Sequence, residues 1–272
     1  MRCFRYLFVL LIMTVPAVAQ APAYRAPRLN GRPDLNGIWQ AMNTANWDLL
    51  DHAAQPGVFW QLGAVGAVPA GLSVVEGGEI PYNAEGLKKK QDNYAKRMTE
   101  DPEAKCYMPG VPRATYMPHP FQVIQSTEKI IIAYAPNNAS RTISLGQARE
   151  APVDSWMGWS NGKWDGETLV IDSRGFMGGT VGALDEEGAV HVRFLDRAGN
   201  YHTDGLHVVE RIRRTGPDHL EYEATMEDPN VYTRPWTIRM PLYRRVEPNM
   251  QLGDFKCEEF VGDLVYGKYQ KK

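Results

Sequence analysis

The chain has 272 residues, 43% of them apolar and 23% charged, enough for one large domain or two small ones. Seven Trp, thirteen Tyr and eight Phe exclude a disordered polypeptide. The 30 Lys+Arg nearly balance 32 Asp+Glu, which excludes a generic nucleic-acid binder, because no basic excess exists to displace counterions from phosphate.

The chain begins with Arg2 and Arg5, an apolar run from Tyr6 to Val15, and Ala17-Val18-Ala19. A positive start, an apolar middle and an A-x-A site describe a secretory signal peptide over residues 1–19, cleaved after Ala19; the run is too short to span a bilayer. A periplasmic or secreted location is therefore expected. Cleavage removes Cys3 and leaves Cys106 and Cys257, which in an oxidising compartment most simply form one disulfide. Two cysteines are too few for structural zinc. No later stretch is apolar for long enough to cross a membrane, so no stable membrane span is expected.

Residues 20–34, rich in Pro and Arg, read as an exposed leader, and residues 35–272 as a single domain. Leu35 to Trp39 is the first expected strand. Between residues 40 and 80, Trp47, Phe59 and Trp60 surround the stretch Leu62 to Val68, which has too many glycines for a good helix and is too apolar for a free loop. Such a segment either covers a cavity or packs on a sheet. Asn83 to Met98 reads as a helix: Asn83 caps it, Glu85 stands four residues before Lys89, and Leu87, Tyr94 and Met98 share a stripe. From Phe121 onward the pattern becomes strand-like, with Phe121–Ser126 and Lys129–Ala135 as a hairpin. Arg141–Leu145, Met157–Trp164, Thr168–Ser173, Leu206–Arg214, His219–Glu227 and Trp236–Tyr243 continue it, with Asp165-Gly166 as a turn signal. The expected fold class is mainly β: an antiparallel barrel or sandwich with one helix in the N-terminal half.

Two resemblances bear on this. Gly37-Ile38-Trp39 on an opening strand resembles the G-x-W start of lipocalin-like barrels, which implies an eight- to ten-stranded barrel able to hold one small ligand. Cys106 to Arg113 (CYMPGVPR) resembles the C-x-P-x-G-x-P-R text of a large, mostly uncharacterised family of exported bacterial proteins. Gly158 to Asp172 (GWSNGKWDGETLVID), His202 to Arg211 (HTDGLHVVER) and Glu227-Asp228-Pro229 are similar to its later motifs. The resemblance implies export and fold but no activity, and this chain departs from it by extra residues at about 177–193.

The densest polar cluster is His202, Asp204, His207, Glu210 and Arg211. Strand alternation puts Glu210 on the face opposite His207, so one of the two faces inward. An enclosed Glu210 is either an acid–base group with a raised pKa or the partner of an arginine. The same alternation argues against a shared metal, and no metal site is expected. A second group, Arg113, Tyr116 and His119, lies among four prolines that hold the backbone extended. There Arg113 could grip a carboxylate or phenolate and His119 shuttle a proton, or the segment could be a rigid strap with Arg113 salt-bridged. Trp156, Trp159, Trp164 and Trp236 form an aromatic wall for a flat ligand or are core, and Arg239 is a further binding candidate.

Gly158 to Gly162 matches G-x-S-x-G only in letters, because it sits between strands. No dinucleotide fingerprint or P-loop is present, so no cofactor is expected. The leading functional expectation is a cofactor-independent lyase or isomerase acting on a small, apolar, aromatic substrate. Its acid–base groups would be His202, Asp204, His207, Glu210 and His119, with Arg113, Tyr116, Trp156, Trp159, Trp236 and Arg239 binding substrate. The alternative is a periplasmic lipocalin-like binding protein for a hydrophobic ligand.

Overall fold

The computed structural model describes residues 24–57, 60–177, 193–253 and 257. The expected signal peptide, Phe59 and most of the 177–193 departure lie outside them.

Two short strands, β1 (Arg28–Leu29) and β2 (Arg32–Pro33), form a hairpin turned by Asn30 and Gly31, both at positive φ. β3 (Gly37–Ala41) opens the main sheet, and a long connection carries the helix α1 (Ala84–Glu100) and the single turn α2 (Arg113–Tyr116). Then follow β4 (Phe121–Gln125), β5 (Lys129–Tyr134), β6 (Ser140–Leu145), β7 (Trp159–Asp165) and β8 (Thr168–Arg174). β9 (Arg193–Phe194) and β10 (Tyr201–His202) make a second small hairpin, and β11 (His207–Gly216), β12 (His219–Glu227) and β13 (Trp236–Arg244) complete the chain of strands. Nine of them close a barrel in the order β3-β4-β5-β6-β7-β8-β11-β12-β13, with β13 paired back to β3. The expected barrel-or-sandwich choice thus resolves to a barrel. Every neighbouring pair is antiparallel except β6 and β7, which run parallel because residues 146–158 carry the chain back along the wall.

α1 is capped as expected, with the Gly86 N–H donating to Asn83 Oδ1 at 2.7 Å. Its burial differs from expectation. Leu87, Tyr94 and Met98 are exposed, and the face turned inward carries Gly86 and Asn93. A Cβ on Gly86 would overlap the Val231 carbonyl oxygen, so the close approach of helix to loop selects glycine. Lys89 pairs with Asp92 rather than with Glu85, and Lys96 pairs with the same Asp92.

The two ends of the barrel differ. At one end the connections are short: residues 126–128, the pair Gly166-Glu167 with Gly166 at positive φ, and Pro217-Asp218. The segment expected as an exposed leader packs onto this end from Ala26 onward, with Ala26 and Pro33 buried, as is Leu35 just after it. Gln125 holds it by accepting from Leu35 N at 2.9 Å and donating to Pro33 O at 3.0 Å, and Arg214 donates to Asp34 O at 2.7 Å. The connections that follow β3, β5, β8 and β12 leave from the other end.

Alternation along the strands fills the interior. Val208, Glu210 and Ile212 of β11 face in with Leu220, Tyr222, Ala224 and Met226 of β12 and Ile238, Met240 and Leu242 of β13. Arg141 of β6 reaches across and makes a bidentate pair with Glu210, at 2.6 and 2.8 Å, while the Tyr222 hydroxyl donates to Glu210 at 2.8 Å. Glu210, Tyr222, Ala224, Ile130, Ile143 and Ile171 have no exposed surface at all, so no water-sized space adjoins them. The middle of the barrel is packed rather than hollow.

Cys106 and Cys257 form the expected disulfide, with Cα atoms 5.4 Å apart and 151 residues between them in sequence.

Breaking the central pair from one side leaves a buried charge uncompensated. Arg141→Leu or Glu210→Leu alone is expected to lose ~3–5 kcal/mol of stability, and the double variant less than the sum of the two. Urea unfolding of the three variants measures this, and purely additive losses would show that the pair is not coupled.

Candidate functional site

The end of the barrel with the long connections is closed by α2, the β9–β10 hairpin and residues 42–57, and ionic bonds tie these together. Arg113, the first residue of α2, is fully buried; it donates to both oxygens of Asp101 at 2.6 and 2.9 Å, to Glu103 at 2.7 Å and to Asn46 Oδ1 at 2.9 Å. Arg197, between β9 and β10, grips the same Glu103 through Nε and Nη2 at 2.7 and 2.6 Å. Burial works against the Glu103 carboxylate, but the two guanidinium groups outweigh it and hold its pKa down at about 2. For Asp101 burial wins over Arg113, and its pKa is raised.

Beneath this network lies Asp196. Its carboxylate accepts from the backbone N–H groups of Leu49, Ala198 and Asn200 at 2.9–3.1 Å and from the Asn200 amide at 2.5 Å. Burial, with the charge of Asp48 added, pushes its pKa up to about 7. These bonds fix residues 46–50 against the β9–β10 turn.

Above the network a cleft of about 360 Å³ opens between residues 47–57, Gly66 and Val68 on one side and the last turns of α1 and Arg197 on the other. Trp47, Pro56, Val68, Tyr94 and Met98 give it apolar walls, and Asp48, His52, Arg97 and Arg197 give it polar ones. Each arginine lies on a ring: Arg197 is 5.1 Å from the centroid of Trp47, and Arg97 is 4.1 Å from that of Tyr94. His52 Nδ1 is 2.8 Å from the Leu50 carbonyl oxygen, which can only accept, so Nδ1 carries the proton. Its Nε2 is buried and makes no hydrogen bond among the described residues, in a ring that packs against Gly71, the residue bridged to His52 by two backbone hydrogen bonds of 3.0 Å. A Cβ on Gly71 would overlap Thr44 and the imidazole, so only glycine fits there.

The residues expected to carry acid–base chemistry are not brought together. Glu210 lies in the packed interior on Arg141. His207 is on the outer face, 3.0 Å from Asp172 Oδ2 and from Arg174 Nη2, and Asp204 is exposed. His202 is sealed at the barrel end, with Nδ1 2.7 Å from the Thr203 carbonyl oxygen and its ring edge-on to Phe176. Burial first, then the charge of Arg193, pulls its pKa down to about 3. His119 is half-buried, and burial lowers its pKa against the pull of Glu103.

The expected binding residues are likewise dispersed. Arg113 grips carboxylates of its own chain, and Tyr116 donates its hydroxyl to Leu195 O at 2.7 Å. Trp156 lies under Arg193 and donates to Met108 O, Trp236 packs edge-on to Tyr232, and Trp159 is half-buried at the start of β7. Arg239 is on the outer wall with Glu76, Glu221 and Glu223. The cleft instead uses Tyr94, Arg97 and Met98 of the helix, together with Arg197, none of which the sequence singles out for binding. The one available signal is the Trp- and Gly-rich character of residues 40–80, which reads either as the cover of a cavity or as a segment packed on a sheet. Among the described residues no three or more His, Cys, Asp or Glu side chains cluster in a way that could hold a metal, and no helix is long and apolar enough to cross a membrane.

Asp196 and His202 titrate against each other. Asp196, with its pKa raised, contributes stability that is present below the ordinary carboxylate pKa and lost as pH rises through about 7. His202, with its pKa lowered, contributes stability that is present above the ordinary imidazole pKa and lost as pH falls toward about 3. Between pH 4 and 7 the two slopes oppose. Asp196→Asn is therefore expected to become relatively more stable with rising pH, and His202→Gln relatively less, each compared with the parent; denaturant midpoints at pH 5 and 7 read the two slopes.

The chain matches no family model, no curated protein and no solved structure.

Proposed function

We propose that this is an exported protein that binds a small, flat, mainly apolar molecule in the cleft at the long-loop end of the barrel. The observation that carries the reading is the cleft itself: about 360 Å³, with Trp47 and Tyr94 as aromatic walls beside the polar groups Asp48, His52, Arg97 and Arg197. That volume suits a molecule of one or two rings. The mouth of a barrel is a common place for such a site, because the strands hold the loops rigidly while the loops supply the contacts. Export to a periplasmic or extracellular compartment is supported by the Cys106–Cys257 disulfide and by the signal-like character of residues 1–19.

A catalytic reading, a cofactor-independent lyase or isomerase acting on the same molecule, is favoured by one group. Asp48 lines the cleft with Oδ1 accepting from Leu50 N at 3.0 Å, while Oδ2 makes no hydrogen bond with the described residues. A fixed carboxylate with one open oxygen beside an apolar pocket is placed to take a proton.

Incubating the protein with a pool of aromatic compounds, followed by separation and mass analysis, tests both. Binding predicts that retained compounds are recovered unchanged and that Trp47→Ala weakens retention at least tenfold. A compound that changes mass, as a lyase requires, or changes elution at constant mass, as an isomerase requires, with the change abolished by Asp48→Asn, would support the catalytic reading. No retention of any member would defeat both.

A further inference from the structure

The geometry points to an aromatic carboxylate as the molecule the cleft takes, with its carboxylate on the open edges of Arg197 and Arg97. This inference rests on the binding reading above and names its ligand class. Arg197 is held on three sides. Its backbone N–H donates to Asn46 O at 2.9 Å, its Nε and Nη2 are spent on Glu103, and its guanidinium lies over Trp47. Nη1 makes no hydrogen bond with the described residues, in a side chain that is 43% exposed. A guanidinium fixed in this way has already lost its rotamer freedom, so an incoming oxygen meets a donor already in place.

Arg97 repeats the arrangement from the helix. Nη1 is bound to Tyr94 O at 2.7 Å, the group lies over the Tyr94 ring, and Nε and Nη2 have no partner among the described residues. Each arginine therefore offers N–H donors at the edge of an aromatic surface. A ligand ring can extend that surface while its acidic group takes the donors.

Charge points the same way. The two carboxylates of Asp101 and Glu103 are matched by Arg113 and Arg197. Arg97 has no acidic partner among the described ion pairs. The remaining acid, Asp48, is turned to Leu50 N and to the Asn200 amide at 3.4 Å. A neutral ring would leave the donors to water, whereas a carboxylate makes charge-assisted bonds with both arginines.

The test is calorimetric titration of the full protein with cinnamate and with its methyl ester, which share a ring and differ in the acid. Cinnamate is expected to bind at least tenfold more tightly than the ester. Arg197→Gln is expected to bring cinnamate down to the level of the ester. Arg97→Gln, in the last turns of α1, is expected to give a smaller loss of the same kind. Equal binding of acid and ester would overturn the carboxylate while leaving the cleft in place. A preference for the acid that survives both substitutions would also overturn it, and failure of both compounds to bind would count against the cleft as a site for this class.

Discussion

The barrel is organised around one ion pair. Arg141 and Glu210 sit on strands separated by two others, so their bidentate bond spans the interior rather than following the wall. Burial pulls the Arg141 pKa down, but Glu210 outweighs it and keeps the guanidinium charged. Tyr222 donates to the same carboxylate, and burial together with that negative charge raises its own pKa well above the ordinary phenol value, so it remains a donor. Apolar residues of the same volume could fill the space, so the pair is weak grounds for stability. What it does is select register: a slip of one residue in β11 would put Val209 or Arg211 where Glu210 stands.

A packed centre moves function to an end. The end closed by short hairpins is plugged by Leu35, Gln125 and Arg214. The other end receives α1, α2, the β9–β10 hairpin and residues 42–57, four pieces that share no sheet. They are joined by polar groups: Arg113 and Arg197 on Glu103, and Asp196 on Leu49 and Asn200. Of the side chains expected to form a site, Arg113 alone belongs to this network, while Glu210 lies on Arg141 in the interior, His207 on the outer face beside Asp172, and Asp204 is exposed.

The pattern of strands was legible because a half-buried strand writes its two faces alternately into the chain. The main strands lie where alternation puts them, and Glu210 faces inward with Val208 and Ile212. Its partner was not legible. Arg141 is 69 residues away, and nothing in the spacing tells which strand lies across a barrel. The parallel contact of β6 with β7 is hidden for the same reason. In α1 the cap is local and could be read, whereas the buried face is set by close contact through Gly86 and Asn93, so the apolar stripe of Leu87, Tyr94 and Met98 was left outside. The cleft draws Trp47, Tyr94 and Arg197 from three distant segments, and only the Trp- and Gly-rich stretch around 40–80 hinted at it.

The same network that closes the barrel end also prepares the cleft. Glu103 is shared by two arginines, one buried and one exposed. Arg113 anchors the carboxylate from below, through a bond that also holds Asp101 and Asn46. The carboxylate in turn fixes Arg197, which alone would be a flexible surface side chain. Burial of one guanidinium is thereby converted into rigidity of the other, with the indole of Trp47 beneath it. An exposed arginine normally binds weakly because ordering it costs rotamer entropy; here that cost is met during folding, before any ligand arrives.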